Sequence, residues 1–370
     1  MIKKLTALGL LFFSFFSSLS ALNLSVNEDS VKAYREAVVC FENQNYGQAL
    51  KLCEDAILFR KQLSQNHKKI LENSIAPRRV QRAGKTISAI LTVLEERNEK
   101  ESIGIIKYYY SRKGEDYFKN SIDNLLSYID EIQDFPEAQC LIGDIYLLEG
   151  EYIFAEKYYL EAIENAKVLD IPNQKYEILT KLARISYLQN NPEQMEIRLL
   201  SILTEDKTFT DKALFSAMMN TVSSNRPDSM QKFFQLYRSD TFYALEAYNK
   251  LFEYYFSLGN MEKSLQFALL SVLSNFSRME EVVASRNIEY SYKDLPSLFF
   301  EVSLYPDILD WCNRNDVWKN FNNFCTVLIK CGYNNFAKSL LTVLAEYTPE
   351  PYWQKKAVIT LSLVMQTKAD

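Results

Sequence analysis

Between Leu141 and Ile163 the chain reads LIGDIYLLEGEYIFAEKYYLEAI. Gly143, Tyr146, Gly150, Tyr152, Ala155, Tyr159 and Ala162 fall there at uneven intervals. A lone amphipathic helix asks for one apolar stripe at a 3.6-residue period and gains nothing from glycine. Two helices in close contact explain the spacing. Gly143 and Ala155 are small enough to let the first helix approach the second, and Tyr146 and Tyr159 fill the space beside them. Gly150 stands where the first helix ends, in the left-handed conformation that other L-residues avoid. Ala162 leaves room for the helix that follows.

The composition agrees. Gly and Pro number 9 each in 370 residues, against average usage of roughly 7% and 5%. That favours long helices and argues against β-sandwiches, glycine-rich phosphate loops and disordered linkers. Hydrophobic residues make up 48% and charged residues 24%, so most of the chain is expected to fold. His67 is the single histidine, which argues against a histidine-based metal centre or a Ser-His-Asp triad.

The pattern recurs. Equivalents of Ala155 stand at Ser121, Met195, Met230 and Ser264, and further out at Ala49 in NYGQALKLCEDAI and Ala337 in GYNNFAKSLLTVL. The gaps from Ala49 to Ser121 and from Ser264 to Ala337 are each about two repeat lengths of 34 residues. Degenerate helix pairs are expected there, one including AGKTISAILTVLEE and one including LYPDILDWC. Over residues 30 to 350 the pattern resembles the tetratricopeptide repeat, a helix-turn-helix unit. The resemblance implies an all-α right-handed solenoid of stacked antiparallel helix pairs, about seven to nine in number.

Three segments follow from this reading. Residues 1–21 carry Lys3 and Lys4, an apolar run from Leu8 to Phe16, and Ser18-Leu19-Ser20, as a bacterial secretory signal peptide does. Residues 22–350 form the repeat array. Residues 351–370 form a capping helix with Trp353, Ala357, Leu361 and Val364 on one face. No later run approaches about 18 apolar residues, so no integral membrane segment is expected in the mature chain. The expected location is the periplasm, or outside the cell. Cys40 and Cys53 occupy core positions on facing helices, as buried free thiols or, alternatively, as a disulfide.

Other motifs are weaker. Gly84-Lys85-Thr86 matches the tail of a phosphate loop, but the position five residues earlier is Arg79 rather than glycine. Residues 60–86 are basic, with Glu72 the only acid. Arg78, Arg82 and Lys85 are spaced to share a helix face, with Arg79 alongside. They are candidates for an acidic partner, against the plainer reading of a solvated face paired with neighbouring acids. The acidic balance of −5 argues against nucleic acid as partner. Carboxylate pairs such as Asp130 and Glu131 arise by chance on an acidic helical surface, so no catalytic residue is assigned. His67, between polar and charged neighbours, is expected at the surface.

In the family resembled, the first helix of each pair lines a concave groove. Its positions carry over to Tyr34, Val38 and Phe41; to Ile106 and Tyr110; to Asp144, Leu147 and Leu148; to Arg184 and Tyr187; to Phe215, Met219 and Val222; and to Asn249, Glu253 and Phe256. The lining is mainly apolar and aromatic, which suits an extended or helical apolar segment. The plainer reading is that these residues pack against neighbouring repeats. The resemblance thus implies an exported, non-enzymatic interaction scaffold of the bacterial envelope. It takes a protein or peptide partner and needs no cofactor or metal. The alternatives are a periplasmic carrier or chaperone for an apolar ligand or peptide, or an accessory subunit of an envelope complex.

Overall fold

The computed structural model describes residues 25–224 and 226–366. The described residues are all-α apart from one isolated bridge, Thr86 with Ser121. The chain divides into two compact units, meeting in sequence at Lys175 and Tyr176.

Unit 1 contains α1 (Ser25–Glu42), α2 (Tyr46–Ile75), α3 (Arg78–Ala83), α4 (Ile87–Glu96), α5 (Lys100–Lys113), α6 (Ile122–Glu131), α7 (Pro136–Leu148) and α8 (Tyr152–Glu164). The stretch from Leu141 to Ile163 forms the pair α7 and α8. Tyr159 is fully buried on α8, and its ring lies where Gly143 has no side chain. A Cβ at Gly143 would stand 2.6 Å from Tyr159 Cε1. The Tyr159 hydroxyl donates to Asp144 Oδ1 at 2.6 Å, and Tyr146 stacks on Tyr158. Gly150, at φ +80°, closes the turn. Glu151 N donates to Tyr146 O at 2.9 Å and Gly150 N to Leu147 O at 3.3 Å. Two of the carbonyls that a helix end leaves unpaired are thereby satisfied.

The same two bonds close turns at Gln44, Asn98, Asn190, Gly259 and Gly332, each with positive φ. In every case the fourth residue of the following helix stands five positions on. These residues are Ala49, Ile103, Ala155, Met195, Ser264 and Ala337. Five are buried against the preceding helix, and Ile103 is half-buried. Two expected equivalents depart from this register. Ser121 is the N-cap of α6, its hydroxyl accepting from Asn124 N. Met230 is the second residue of its helix, not the fourth.

The expected helix pair around AGKTISAILTVLEE is α4 with α5, turning at Asn98. Its place was not legible in a 34-residue spacing. Between Gly47 and Pro77 the sequence has no helix breaker, and α2 runs for 30 residues. Cys53 and Ala56, in its first half, share a core with Ala37 of α1 and Ala138, Leu141 and Ile142 of α7. Leu71, in its second half, shares another with Ile90, Leu94, Ile106, Leu125 and Ile129. The helices α3 to α6 are therefore an insertion seated on the far half of α2, and α7 returns to the near half.

Unit 2 contains α9 (Gln174–Leu188), α10 (Pro192–Leu203), α11 (Lys207–Thr210), α12 (Lys212–Ser223), α13 (Ser229–Leu236) and α14 (Leu245–Ser257), followed by α15 (Met261–Arg286), α16 (Leu295–Leu304), α17 (Pro306–Arg314), α18 (Val317–Lys330), α19 (Asn334–Tyr347) and α20 (Pro351–Gln366). One core joins them, from Ala183 through Phe234, Phe276 and Phe321 to Ala357. The plan of unit 1 recurs: α15, 26 residues long, is the second helix of its pair. Its start touches the next pair through Cys331 Sγ and Met261 O. Its end pairs Arg286 with Asp307 of the inserted α17. The segment LYPDILDWC supplies α17.

The last helix, α20, packs on α18 and α19. Ala357 and Val364 are buried, and Trp353 and Leu361 rest against the core, as their spacing predicts. All six cysteines are free; burial pushes the Cys53 thiol up to about 12. Among the described residues no helix is long and apolar enough to cross a membrane. The expected signal peptide lies outside the described residues.

Replacing Gln44 by glycine is expected to stabilise the protein by up to about 1 kcal/mol, because the left-handed conformation costs a side chain about 1–2 kcal/mol. Gly150→Ala should destabilise by a similar amount, and Gly143→Ala by about 1–3 kcal/mol through the clash with Tyr159. Urea unfolding midpoints check all three.

Candidate functional site

The first helices of the pairs carry the face that the repeat resemblance assigns to a partner. On α1, Tyr34, Val38 and Phe41 are half-buried against the core shared with α7. Tyr34 meets the Phe135 ring at 5.1 Å, and burial pushes its hydroxyl above the ordinary tyrosine range. On α7, Asp144 is held by Tyr159, Leu147 is half-buried and Leu148 is 60% exposed. On α9, Arg184 is exposed and Tyr187 is 68% exposed.

On α12, Phe215 and Met219 lean on the core of unit 2. On α14, Asn249 accepts from the Ser271 hydroxyl at 2.5 Å. Glu253 accepts from Lys319 of α18 at 3.2 Å, and the Lys330 ammonium lies 5.1 Å from the Phe256 ring centre. Neighbouring helices within unit 2 thus engage part of this face, as the plainer reading expects.

Two assigned positions are buried and cannot line an open face. Ile106 is inaccessible because α5 is the second helix of its pair, which turns at Asn98. Tyr110, on the same helix, stacks on Phe118. Val222 is 2% exposed and points into the core of unit 2.

The basic run is not one helix face. The helix α3 ends at Gly84, whose φ of +102° breaks it, so Lys85 lies beyond it. Lys85 Nζ pairs with Asp123 at 2.7 Å, and Arg79 pairs with Glu96. Arg78 and Arg82 are exposed. The Gly84-Lys85-Thr86 segment is structural: Ile122 N donates to Lys85 O at 3.1 Å and Ile87 N to Asn120 O at 3.0 Å. This backbone bridge ties the starts of α4 and α6 together. Asp130 and Glu131 are likewise held, by Lys68 at 2.9 Å and Lys167 at 3.0 Å.

His67 is half-buried on α2, not at the surface. Its Nδ1 stands 3.0 Å from the Tyr109 hydroxyl, edge-on to the rings of Tyr108 and Tyr109. Burial lowers its pKa from 6.5 to about 4. Sequence reasoning also passed over Arg60, Arg112 and Lys113, which line one cavity of unit 1. Their local signal was only three tyrosines followed by two basic residues near the end of a helix.

No known protein-family profile matches the chain. An uncharacterised protein of Treponema pallidum (strain Nichols) is 28% identical over 344 residues, covering 91% of this chain and 91% of the relative. An uncharacterised protein of Borreliella burgdorferi (strain ATCC 35210) is 21% identical over 253 residues, covering 62% of this chain and 78% of the relative. Among solved structures, the P58(IPK) TPR domain aligns over 92% of this chain and 89% of its own, at 13% identity and TM-score 0.19. Yeast Tom70 aligns over 93% and 97%, at 11% identity and TM-score 0.15. At such scores the arrangement of helices is read from their own packing, not from the superposition.

Because His67 resists protonation in the folded state, its contribution to stability is present above pH 6.5 and is lost as pH falls toward 4. As the chain's single imidazole, it should give one NMR titration with a midpoint near 4. A midpoint near 6.5 would show an imidazole in open water.

Proposed function

We propose that this chain is a non-enzymatic scaffold that holds a partner protein on uncovered helical faces. The observation that carries this reading is the outer face of α20. Its inner face covers the end of the core of unit 2. Tyr352 and Ile359 on the other side, and Val358 and Met365 along one flank, are each about half exposed or more. A helix face that met only water would carry polar residues there. Large apolar side chains gathered on one face mark a contact surface, and Lys355 and Lys356 beside them are exposed.

An apolar partner segment would also be held along the first-helix faces. Those faces comprise Tyr34, Val38, Phe41, Leu147 and Leu148 in unit 1, and Arg184, Tyr187, Phe215 and Met219 in unit 2. Export to the bacterial envelope is part of the proposal and rests on the residue pattern of 1–21 alone. Arg78, Arg79, Arg82 and Lys85 are a weaker second contact, since two of the four have acidic partners within unit 1.

A photoreactive amino acid placed at Ile359, Leu148 or Tyr187 in living cells is expected to yield an adduct with one defined protein. The adduct at Ile359 should vanish when Val358→Glu is added, with the melting temperature unchanged. A chain that melts normally yet gives no adduct at any of the three positions would sink the scaffold reading. N-terminal sequencing of the fractionated protein tests export separately; a cytoplasmic chain still beginning at Met1 would refute it.

A further inference from the structure

In unit 1 a cavity of about 220 Å³ opens where α2, α5 and α6 meet the segment after α8. Arg60, Arg112 and Lys113 line it, with the rings of Tyr109 and Tyr128, and Asp170 is the acid on its wall. Three cations line the wall against one carboxylate, and Glu137 stands behind Arg60, so the site stays net positive.

Arg60 is the telling residue. Its side chain is only 12% exposed, and the acid nearest to it is Glu137, at 3.9 Å. That is beyond hydrogen-bond reach. Glu137 Oε1 is taken up by the backbone N–H of Asp170 at 2.7 Å. The guanidinium lies flat against Phe135, 3.7 Å from the ring centre, and none of its hydrogen-bond donors finds a partner among the described residues. Burying a cation without hydrogen bonds is costly, and an anion in the cavity would offset that cost.

Arg60 thus has a distant ion pair with Glu137 but no hydrogen bond from its guanidinium, and neither of the other two cations has an ion pair among the described residues. Arg112 Nη1 donates to the Tyr108 hydroxyl at 2.6 Å. Lys113 Nζ lies 5.6 Å from the Tyr128 ring centre and 5.7 Å from that of Tyr117. Three cations near the cavity have close acidic partners: Lys68 with Asp130, Arg97 with Glu99, and Lys167 with Glu131. The last turn of a helix does favour basic residues, which accounts for Arg112 and Lys113 on α5. It does not account for Arg60, which comes from the middle of α2 and faces the same space.

We propose that this cavity binds a compact phosphate monoester, its dianionic head held by Arg60, Arg112 and Lys113. Two guanidinium forks and an ammonium suit a head with three acceptor oxygens. A phosphate monoester carries about −1.5 to −2 charge at neutral pH, opposite in sign to the wall. The volume lies below the roughly 300–1,000 Å³ of drug-sized pockets, so the organic body is small. The tyrosine rings flank it. This site is separate from the scaffold faces and does not rest on them.

The test is isothermal titration calorimetry of the full mature chain at low ionic strength, with glycerol 3-phosphate, inorganic phosphate and succinate as probes. Saturable binding of glycerol 3-phosphate is expected. Arg112→Gln and Lys113→Gln, both at exposed positions, should each weaken it about ten-fold or more without moving the melting temperature. Arg60→Lys keeps the charge but removes the fork and should weaken binding as well. No saturable binding of glycerol 3-phosphate would overturn the proposal. So would succinate binding equally well, or an equal loss in Arg78→Gln, which would mark nonspecific surface charge. Binding of phosphatidic acid vesicles without binding of glycerol 3-phosphate would point to a membrane and overturn it too.

Discussion

The turn between paired helices is the constraint on which the rest depends. One residue takes the left-handed conformation, two backbone N–H groups reach back to the carbonyls of the preceding helix, and the next helix starts two residues on. Because those two bonds fix where the second helix begins, its fourth residue meets the first helix each time. That residue is Ala49, Ala155, Met195, Ser264 or Ala337, all buried, or Ile103, half-buried. A pair built in this way has one apolar face more than it can cover itself. Everything larger, in both units, follows from how that face is covered.

Where glycine fills the left-handed position, at Gly150, Gly259 and Gly332, the turn was legible in the sequence. Where Asn98 and Asn190 fill it the residue type is a weaker sign than glycine, and Gln44 gives none. Most of the pairs stand where the pattern expects them; the one assigned at Ser121 does not, and the spacing is not uniform. A fixed period assumes that each pair packs on its sequence neighbour. Here two second helices, α2 and α15, run on past their partners and carry inserted helices on the excess length. Ser121 was placed in register by counting across such an insertion, and the count landed on a helix cap.

The sites show the same division between local and distant information. Most groove positions that the repeat resemblance implies stand at least partly open. Ile106 was misplaced because the order of helices within its pair was wrong. His67 and the basic run were judged by their sequence neighbours. The groups that decide their surroundings, Tyr109, Glu96 and Asp123, lie 17 to 42 residues away. The cavity at Arg60, Arg112 and Lys113 depends on helices brought together by the insertion, and no short stretch of sequence contains it.

The insertions change how unit 1 is expected to gain its structure. A plain repeat array can grow from any point, each unit closing on the last, with contacts that are short in sequence. In unit 1 the near half of α2 waits for α7, and the chain between them must first leave and come back. The entropy of closing that loop precedes the contact that rewards it. Removing α7 and α8 would therefore leave the near half of α2 covered by α1 alone. The unit should behave as one cooperative block, not as a ladder that can be shortened rung by rung.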